Sequence, residues 1–245
     1  MPVTDLGVGD RPLARDVAHY VVRVRRLAVG DRFLAFDAAR ALEADAEILA
    51  VAPDGVQVRV GALRPSPAVA RRDVAWVQAL PKGEKMDAIV RDATELGATR
   101  IVPATTAFTV VRLDGPRGER RRQRWERIAT EAARQCGRGD VPEIHAIVPW
   151  EVALAACQAS FGQTGGTGFC LHERATLPLG PILLGALGTS SPLVFAAGPE
   201  GGLSPAEVAH ASTRGFAVVS LGPFVLRAET VVAATLGAVR ALEGM

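Results

Sequence analysis

Two stretches of the 245-residue chain combine glycines with charged side chains at spacings suited to ligand binding. The first runs Gly198-Pro199-Glu200-Gly201-Gly202-Leu203-Ser204-Pro205-Ala206-Glu207 and follows the apolar run Leu193 to Ala197. Its glycines permit backbone angles, and a closeness to a ligand, that a Cβ would block. Ser204 and Glu207 have the spacing of a helix capping box, with Pro205 at the first helical position. The same stretch serves equally well as a tight, well-capped connection. The second runs Leu221-Gly222-Pro223-Phe224-Val225-Leu226-Arg227-Ala228-Glu229-Thr230 and also follows an apolar run. Arg227, beside this turn, can meet an anionic or carbonyl group. Glu229 suits the positive end of the helix that follows, and it is also near enough to pair with Arg227.

A third feature is a helix predicted over 118–137. Arg120, Arg124, Arg127, Arg134 and Arg138 share one face of it, interrupted by Glu131. Trp125, Ile128, Ala129, Ala132, Ala133 and Cys136 form its apolar face. The basic face is either simply solvated or a phosphate-binding stripe. The four histidines are scattered and the three cysteines widely spaced, so no metal site and no disulfide framework is expected. His172 closes a predicted strand, where a pocket is plausible. Gly-x-Ser-x-Gly and the phosphate-loop pattern are both missing.

The elements around these turns follow from hydrophobic spacing. β-type runs at Tyr20–Val22, Arg32–Phe36, Ala46–Val51 and Gly55–Val60, with turns at Gly30-Asp31 and Pro53-Asp54-Gly55, predict a small barrel. Pro65-Ser66-Pro67 reads as a linker. From residue 73 onward, apolar strands alternate with helices. That pattern predicts a parallel sheet covered on both faces, with ligands at the C-terminal ends of its strands. The expected strands are 73–80, 100–103, 144–148, 169–172, 193–197 and 217–221, with a loose glycine-rich loop over 162–168 and a final helix over 231–242.

Composition narrows the function classes. Apolar residues make up 49% and charged residues 22%, ordinary for a globular chain and too apolar for a disordered one. Neither an apolar run of about 20 residues nor the layout of a signal peptide is present, so a soluble, cytoplasmic protein with no membrane partner is expected. The net charge is +2, and all but two of the 28 basic residues are Arg. Residues 1–145 are net positive, whereas 146–245 carry four basic and six acidic residues. This asymmetry suggests one part facing a polyanion and another facing a small molecule.

The two loops, the arginine helix and a further stretch over 82–97 together resemble the small-subunit ribosomal RNA uracil-N3 methyltransferases of the SPOUT superfamily. The resemblance rests on Lys82-Gly83-Glu84-Lys85-Met86-Asp87 with Ala93-Thr94-Glu95-Leu96-Gly97, on the two loops above, on Trp125 to Arg138, and on Val141-Pro142-Glu143-Ile144. It spans nearly the whole chain in order. It implies an α/β fold: a PUA-like RNA-binding β-barrel over 1–72 and a methyltransferase domain with a deep trefoil knot over 73–245. It implies S-adenosylmethionine as cofactor, bordered by Leu171, His172, Gly198, Glu200, Gly201, Leu221, Gly222 and Leu226. Arg227 and Glu229 become the expected catalytic pair, while Glu200 and His172 are candidates for a general base. Arg23, Arg26, Arg120, Arg124, Arg127 and Arg138 become RNA contacts, on 16S rRNA or the small subunit, in a homodimer without metal. Alternatives are a ribose 2′-O-methyltransferase acting on tRNA or rRNA, a non-catalytic RNA-binding protein of the same fold, and a methyltransferase acting on a small molecule or protein. Thr106-Ala107-Phe108-Thr109 stands where the family has a Thr-Glu-Arg-Ser-like stretch.

Overall fold

The computed structural model describes every residue except 2, 38–39, 54, 110–114, 163–164 and 244–245. The Asp54 turn and part of the 162–168 loop therefore lie outside the described residues. The chain folds as two compact units, residues 1–69 with 133–141 and residues 70–132 with 142–245.

The first unit is built on an antiparallel sheet. Its strands are β1 (Gly9–Pro12), β2 (Arg32–Asp37), β3 (Leu42–Ala52), β4 (Gly55–Val60) and the short β5 (Arg64–Pro65). They pair in the order β1-β4-β3-β2, with β5 on β3. In β4, Val56, Val58 and Val60 are buried while Gln57 and Arg59 are exposed, the period-two pattern of a sheet with one wet face. The free edge of β2 is covered by the N-terminal residues, through Val3 N–H to Phe36 O at 2.8 Å and Phe36 N–H to Met1 O at 2.7 Å.

Tyr20–Val22, expected as a strand, is helical instead. Helix α1 (Arg15–His19) runs into a π-helical turn, Tyr20–Val24. Val17 and Val21, four apart, are both buried with Ala18 against the sheet. The i, i+4 spacing of the buried pair outweighs the β preference of its valines.

Pro65-Ser66-Pro67 is not a free linker either. Arg64 and Pro65 pair with Glu43 and Leu42 of β3. The Glu43 carboxylate is buried, and it accepts from Arg64 Nε at 2.9 Å and from Ser66 Oγ at 3.1 Å. A buried carboxylate requires such partners, which fixes the segment. Residues 133–141 close on it, with Gly139 N–H bonded to Ala68 O at 2.8 Å. A Cβ at Gly139 would lie 2.0 Å from Ser66 Oγ, so this approach needs glycine.

The second unit alternates strands and helices. In chain order these are β6 (Val74–Ala79), α2 (Lys85–Glu95), β7 (Arg100–Thr105), α3 (Gly115–Cys136), β8 (Glu143–Ile144), β9 (Val148–Pro149) and α4 (Trp150–Gly162). β10 (Thr167–Leu171), α5 (Leu179–Leu187), β11 (Leu193–Ala197), α6 (Pro205–Thr213), β12 (Ala217–Val219) and α7 (Ala228–Glu243) follow. The sheet is parallel, in the order β12-β10-β11-β6-β7-β8, with β9 also on β7. The strand expected over 144–148 is divided between β8 and β9, and that expected over 217–221 ends at Val219. Helix α7 packs on α2 and α5, and α4 packs on α6 and the sheet. The central strand β6 is buried at all six positions, including Gln78. Among the described residues no helix is long and apolar enough to cross a membrane.

Candidate active site

Strands β12, β10 and β11 are neighbours in the sheet, and the loops at their C-terminal ends line one cleft of about 390 Å³. This is where a doubly wound sheet binds ligands, and the size is in the usual range for small-molecule sites. Leu171 and His172 lie at the end of β10, Gly198, Glu200 and Gly201 after β11, and Leu221, Gly222 and Leu226 after β12. All eight line the cleft, as does Arg227. Glu229 does not. Sequence reasoning missed Lys85, Glu173, Phe224 and Val225, which line it too. Lys85 carried a signal, being one of only two lysines in the chain and part of the 82–87 motif.

The loops are held mainly by backbone. His172 N–H donates to Val219 O at 2.9 Å, Ser220 N–H to Leu177 O at 2.9 Å, and Leu179 N–H to Ser220 O at 3.0 Å. The chain after β10 is thereby stitched to the end of β12. The buried Gln78 side chain donates to Gly198 O at 3.1 Å and accepts from Trp76 Nε1 at 2.9 Å. A Cβ at Gly198 would meet Leu203 Cγ at 3.0 Å and the Gly202 carbonyl carbon at 3.1 Å, so this tight turn selects glycine. The capping box forms: Glu207 N–H donates to Ser204 Oγ at 3.3 Å, and Ser204 N–H to Glu207 Oε2 at 2.7 Å. The other Glu207 oxygen accepts from Ala107 N–H at 2.7 Å. That bond ties the 106–109 loop to α6, and Phe108 of this loop packs beside Gly201.

Glu200 accepts from Lys85 Nζ at 2.7 Å and from Lys82 N–H at 3.1 and 3.2 Å. Burial pushes its carboxyl upward. The hydrogen bonds from Lys85 and from the backbone of Glu200 and Lys82 outweigh burial and hold it below the ordinary carboxylate value. A carboxylate so engaged is a poor proton acceptor, which removes Glu200 as a general base. His172 Nδ1 accepts from Arg174 N–H at 3.3 Å.

Arg227 occupies the N-cap position of α7, its carbonyl accepting from Thr230 and Val231 N–H, each at 2.9 Å. Its side chain is exposed and finds no carboxylate partner among the described residues. The expected pairing with Glu229 is not formed. Glu229 sits in the first turn of α7, with Oε2 buried and without a hydrogen-bond partner. A cation at the positive end of a helix is disfavoured unless an anion joins it. Arg227 and the α7 terminus together thus make a local anion-stabilising centre.

The walls of the cleft fit S-adenosylmethionine. Leu171, Leu221, Leu226 and Val231 offer apolar surface to an adenine ring, and Gly198, Gly201 and Gly222 line the cleft without side chains. Gly222, at φ +119°, has nothing within 4 Å of where a Cβ would stand. Among the described residues no group of His, Cys, Asp and Glu is placed to hold a metal.

The arginine helix separates into bound and available charges. Arg117, Arg120, Arg121 and Arg127 line a shallow groove of about 430 Å³ and have no carboxylate partner among the described residues. Arg124 shares that groove but is bonded to Asp87 and Glu84, and Arg122 is bonded to Glu119 and Glu126. Arg138 is buried and tied to Asp140 at 2.7 and 2.9 Å, so the expected phosphate contact there has no exposed guanidinium to make it. Arg134 lies 4.6 Å over the Tyr20 ring. Cys136, expected on the apolar face, is exposed. Arg23 and Arg26 are exposed in the first unit.

Comparison with known proteins agrees with this arrangement. Residues 69–240 match the RNA methyltransferase domain, and residues 13–61 the RNA methyltransferase PUA domain. The Mycobacterium bovis ribosomal RNA small subunit methyltransferase E is 32% identical over 93% of this chain and 84% of its own. The Bacillus subtilis protein of the same name is 31% identical over 86% and 82%. A Legionella pneumophila protein crystallised with S-adenosylmethionine superposes with a TM-score of 0.86, at 25% identity over 98% and 96% of the two chains. A domain match over more than half the chain, with relatives above 30% identity across most of both lengths, makes this chain a member of the RNA methyltransferase family that includes the ribosomal RNA small subunit methyltransferases E.

Proposed function

We propose that the chain methylates N3 of a uridine in 16S ribosomal RNA, using S-adenosylmethionine, as a cytoplasmic homodimer. The observation that carries this reading is the meeting of three strand-end loops in one cleft, with the unpartnered Arg227 on its wall. The family match and the relatives named for small-subunit rRNA methylation supply the substrate class.

When bound, S-adenosylmethionine supplies an electrophilic methyl group on a sulfonium. Leu171, Leu221 and Leu226 would hold its apolar part, and the main chain at Gly201 and Gly222 its polar groups. Uracil N3 is a weakly acidic imide and attacks only as its proton leaves. The resulting negative charge spreads onto the two uracil carbonyl oxygens. Arg227 donates to one of them, and the α7 N-terminus adds to the same field. Glu200 is tied to Lys85, so the N3 proton would leave to His172 or to solvent. Glu229 acts through the first turn of α7, which sets the position of Arg227.

Residues 1–72, with exposed Arg23 and Arg26, form the RNA-binding barrel of the proposal, and residues 73–245 the catalytic domain. Arg120 and Arg127 contact RNA phosphates. The deep knot belongs to the same reading. Phe224 and Val225, 79% and 80% exposed beside the cleft, support a homodimer that covers them.

The decisive experiment is incubation with S-adenosylmethionine and small ribosomal subunits lacking the modification, followed by nucleoside mass analysis. 3-Methyluridine is expected. A ribose 2′-O-methyl product would keep the fold and cofactor but move the target, and a chain that binds no cofactor would be a non-catalytic RNA-binding protein.

A further inference from the structure

The chain uses Arg at 26 of its 28 basic positions, and its two lysines, Lys82 and Lys85, stand three residues apart. Both converge on one carboxylate. Glu200 Oε1 accepts from Lys85 Nζ at 2.7 Å, and both Glu200 oxygens accept from Lys82 N–H. Glu200 is at the tip of the 198–202 loop, where three of five residues are glycine. Such a loop loses much backbone freedom on being ordered. Elsewhere the loop is held by the turn bond from Gly202 N–H to Pro199 O at 2.9 Å and by the Gln78 bond to Gly198 O. Neither of these fixes the Glu200 tip against the start of α2.

We propose that Lys85 is a positioning residue for the cofactor: its ion pair with Glu200 latches the 198–202 loop in the shape that receives S-adenosylmethionine. This rests on the cleft being the cofactor site. A lysine suits the position better than an arginine. The compact ammonium reaches one oxygen and leaves the carboxylate open to Lys82 N–H, whereas a planar guanidinium claims both oxygens and displaces that bond. The latch also cancels the Glu200 charge inside the cleft. With Lys85 removed, Glu200 keeps only main-chain donors and no counter-charge, the loop is more mobile, and binding must then supply the ordering that the free protein now carries.

The test uses the full chain and the variants K85M, E200Q, K85M/E200Q and K85R. Binding of S-adenosylmethionine is measured by calorimetry, and amide exchange at Gly202 is followed in cofactor-free protein. K85M and E200Q are each expected to weaken binding about tenfold and speed Gly202 exchange. The double variant is expected to be no worse than either single one, because the two residues act as one unit. K85R is expected to recover only part of the loss. Wild-type affinity and wild-type exchange in K85M would overturn the latch, as would losses that multiply in the double variant or full rescue by K85R. A wild-type chain that binds no S-adenosylmethionine would overturn the reading of the cleft and this proposal with it; a loss of RNA methylation alone, with binding and exchange intact in K85M, would overturn the latch and leave that reading standing.

Discussion

Arg124 donates two hydrogen bonds to a single oxygen of Asp87, at 2.5 and 2.9 Å, while the other Asp87 oxygen accepts from the buried indole of Trp125 at 3.1 Å. Asp87 therefore fastens α3 to α2 through both faces of one carboxylate. It also divides the arginine stripe, since Arg124 serves this joint while its neighbours stay available to an outside anion.

The division has a measurable consequence. Asp87→Ala leaves the Trp125 N–H buried without an acceptor, at a cost of about 1–3 kcal/mol, which denaturant titration will read. Arg120→Ala with Arg127→Ala is expected to leave stability near wild type. It should lower the slope of log K for RNA against log salt by roughly 1–2. An unchanged slope in that double variant would remove the groove from RNA binding.

Through the proposed latch, Glu200 should set the acid limit of cofactor affinity. Its carboxyl is held below the ordinary carboxylate value in the folded protein, where the bonds from Lys85 and the main chain outweigh burial. The sign follows from linkage: the contribution is complete above the unfolded value and is lost as pH falls through the lower folded one. Cofactor binding should stay level from about pH 8 to about pH 6 and weaken only under more acid conditions. In Glu200→Gln this acid weakening should disappear, as titration calorimetry across pH will show.

Glu207 is a buried carboxylate that holds two main-chain donors, Ser204 N–H and Ala107 N–H, both at 2.7 Å. Glu207→Ala orphans both donors and opens the cap of α6. A loss of about 2–4 kcal/mol is expected, with faster proteolysis at the 106–109 loop. Ser204→Ala removes only the weaker half of the box, at 3.3 Å, and should cost about 1 kcal/mol. Equal losses in the two variants would mean that the Ala107 bond contributes nothing.

Glu207 also shows what a sequence can and cannot reveal. Its capping role was legible because Ser204-Pro205-x-Glu207 is a local pattern with a local cause. Its bond to Ala107 was not, because it joins positions 100 residues apart. The same contrast runs through the chain. The alternation of strands and helices foretold the parallel sheet, and the eight cofactor residues implied by the family resemblance lie together. The helical fate of Tyr20–Val22 was hidden, because the burial of Val17 with Val21 is a tertiary effect acting on residues that prefer strands. Arg138 looked like its exposed neighbours until the return of 133–141 to the first unit buried it against Asp140. Gln78 is a polar residue in an apolar strand, and only the fold brings it to Gly198, 120 residues away.

The cysteines should divide sharply by reactivity. Burial pushes the Cys157 thiol up to about 11 and the Cys170 thiol up to about 12, so neither is a thiolate at neutral pH. Cys136 is exposed. In the native protein a thiol reagent should titrate one cysteine quickly, and mass mapping should place it at Cys136. All three should react in denaturant. Fast native labelling of Cys170 would show that β10 opens readily, contrary to its place between two strands of the sheet.

Arg227 bears the heaviest prediction. It is a cation at the N-terminus of α7, on the wall of the cleft, without a carboxylate partner among the described residues. A purely structural arginine at a helix N-terminus would gain from an anion near it. In the proposed reaction that anion comes from the substrate, as charge on the uracil carbonyls when N3 loses its proton. Removing one donor of this kind typically costs about 10²–10³ in rate. Arg227→Ala should therefore lose turnover by about that factor while keeping cofactor affinity within about threefold, because Leu171, Leu221 and the glycine loops remain. Arg227→Lys should recover little, since a point charge does not reproduce the planar donor pair. Single-turnover methylation of small subunits, measured beside cofactor calorimetry, separates the two effects. Normal turnover in Arg227→Ala would move the charge-stabilising role to another group, whereas a lost cofactor affinity would make Arg227 a binding residue instead.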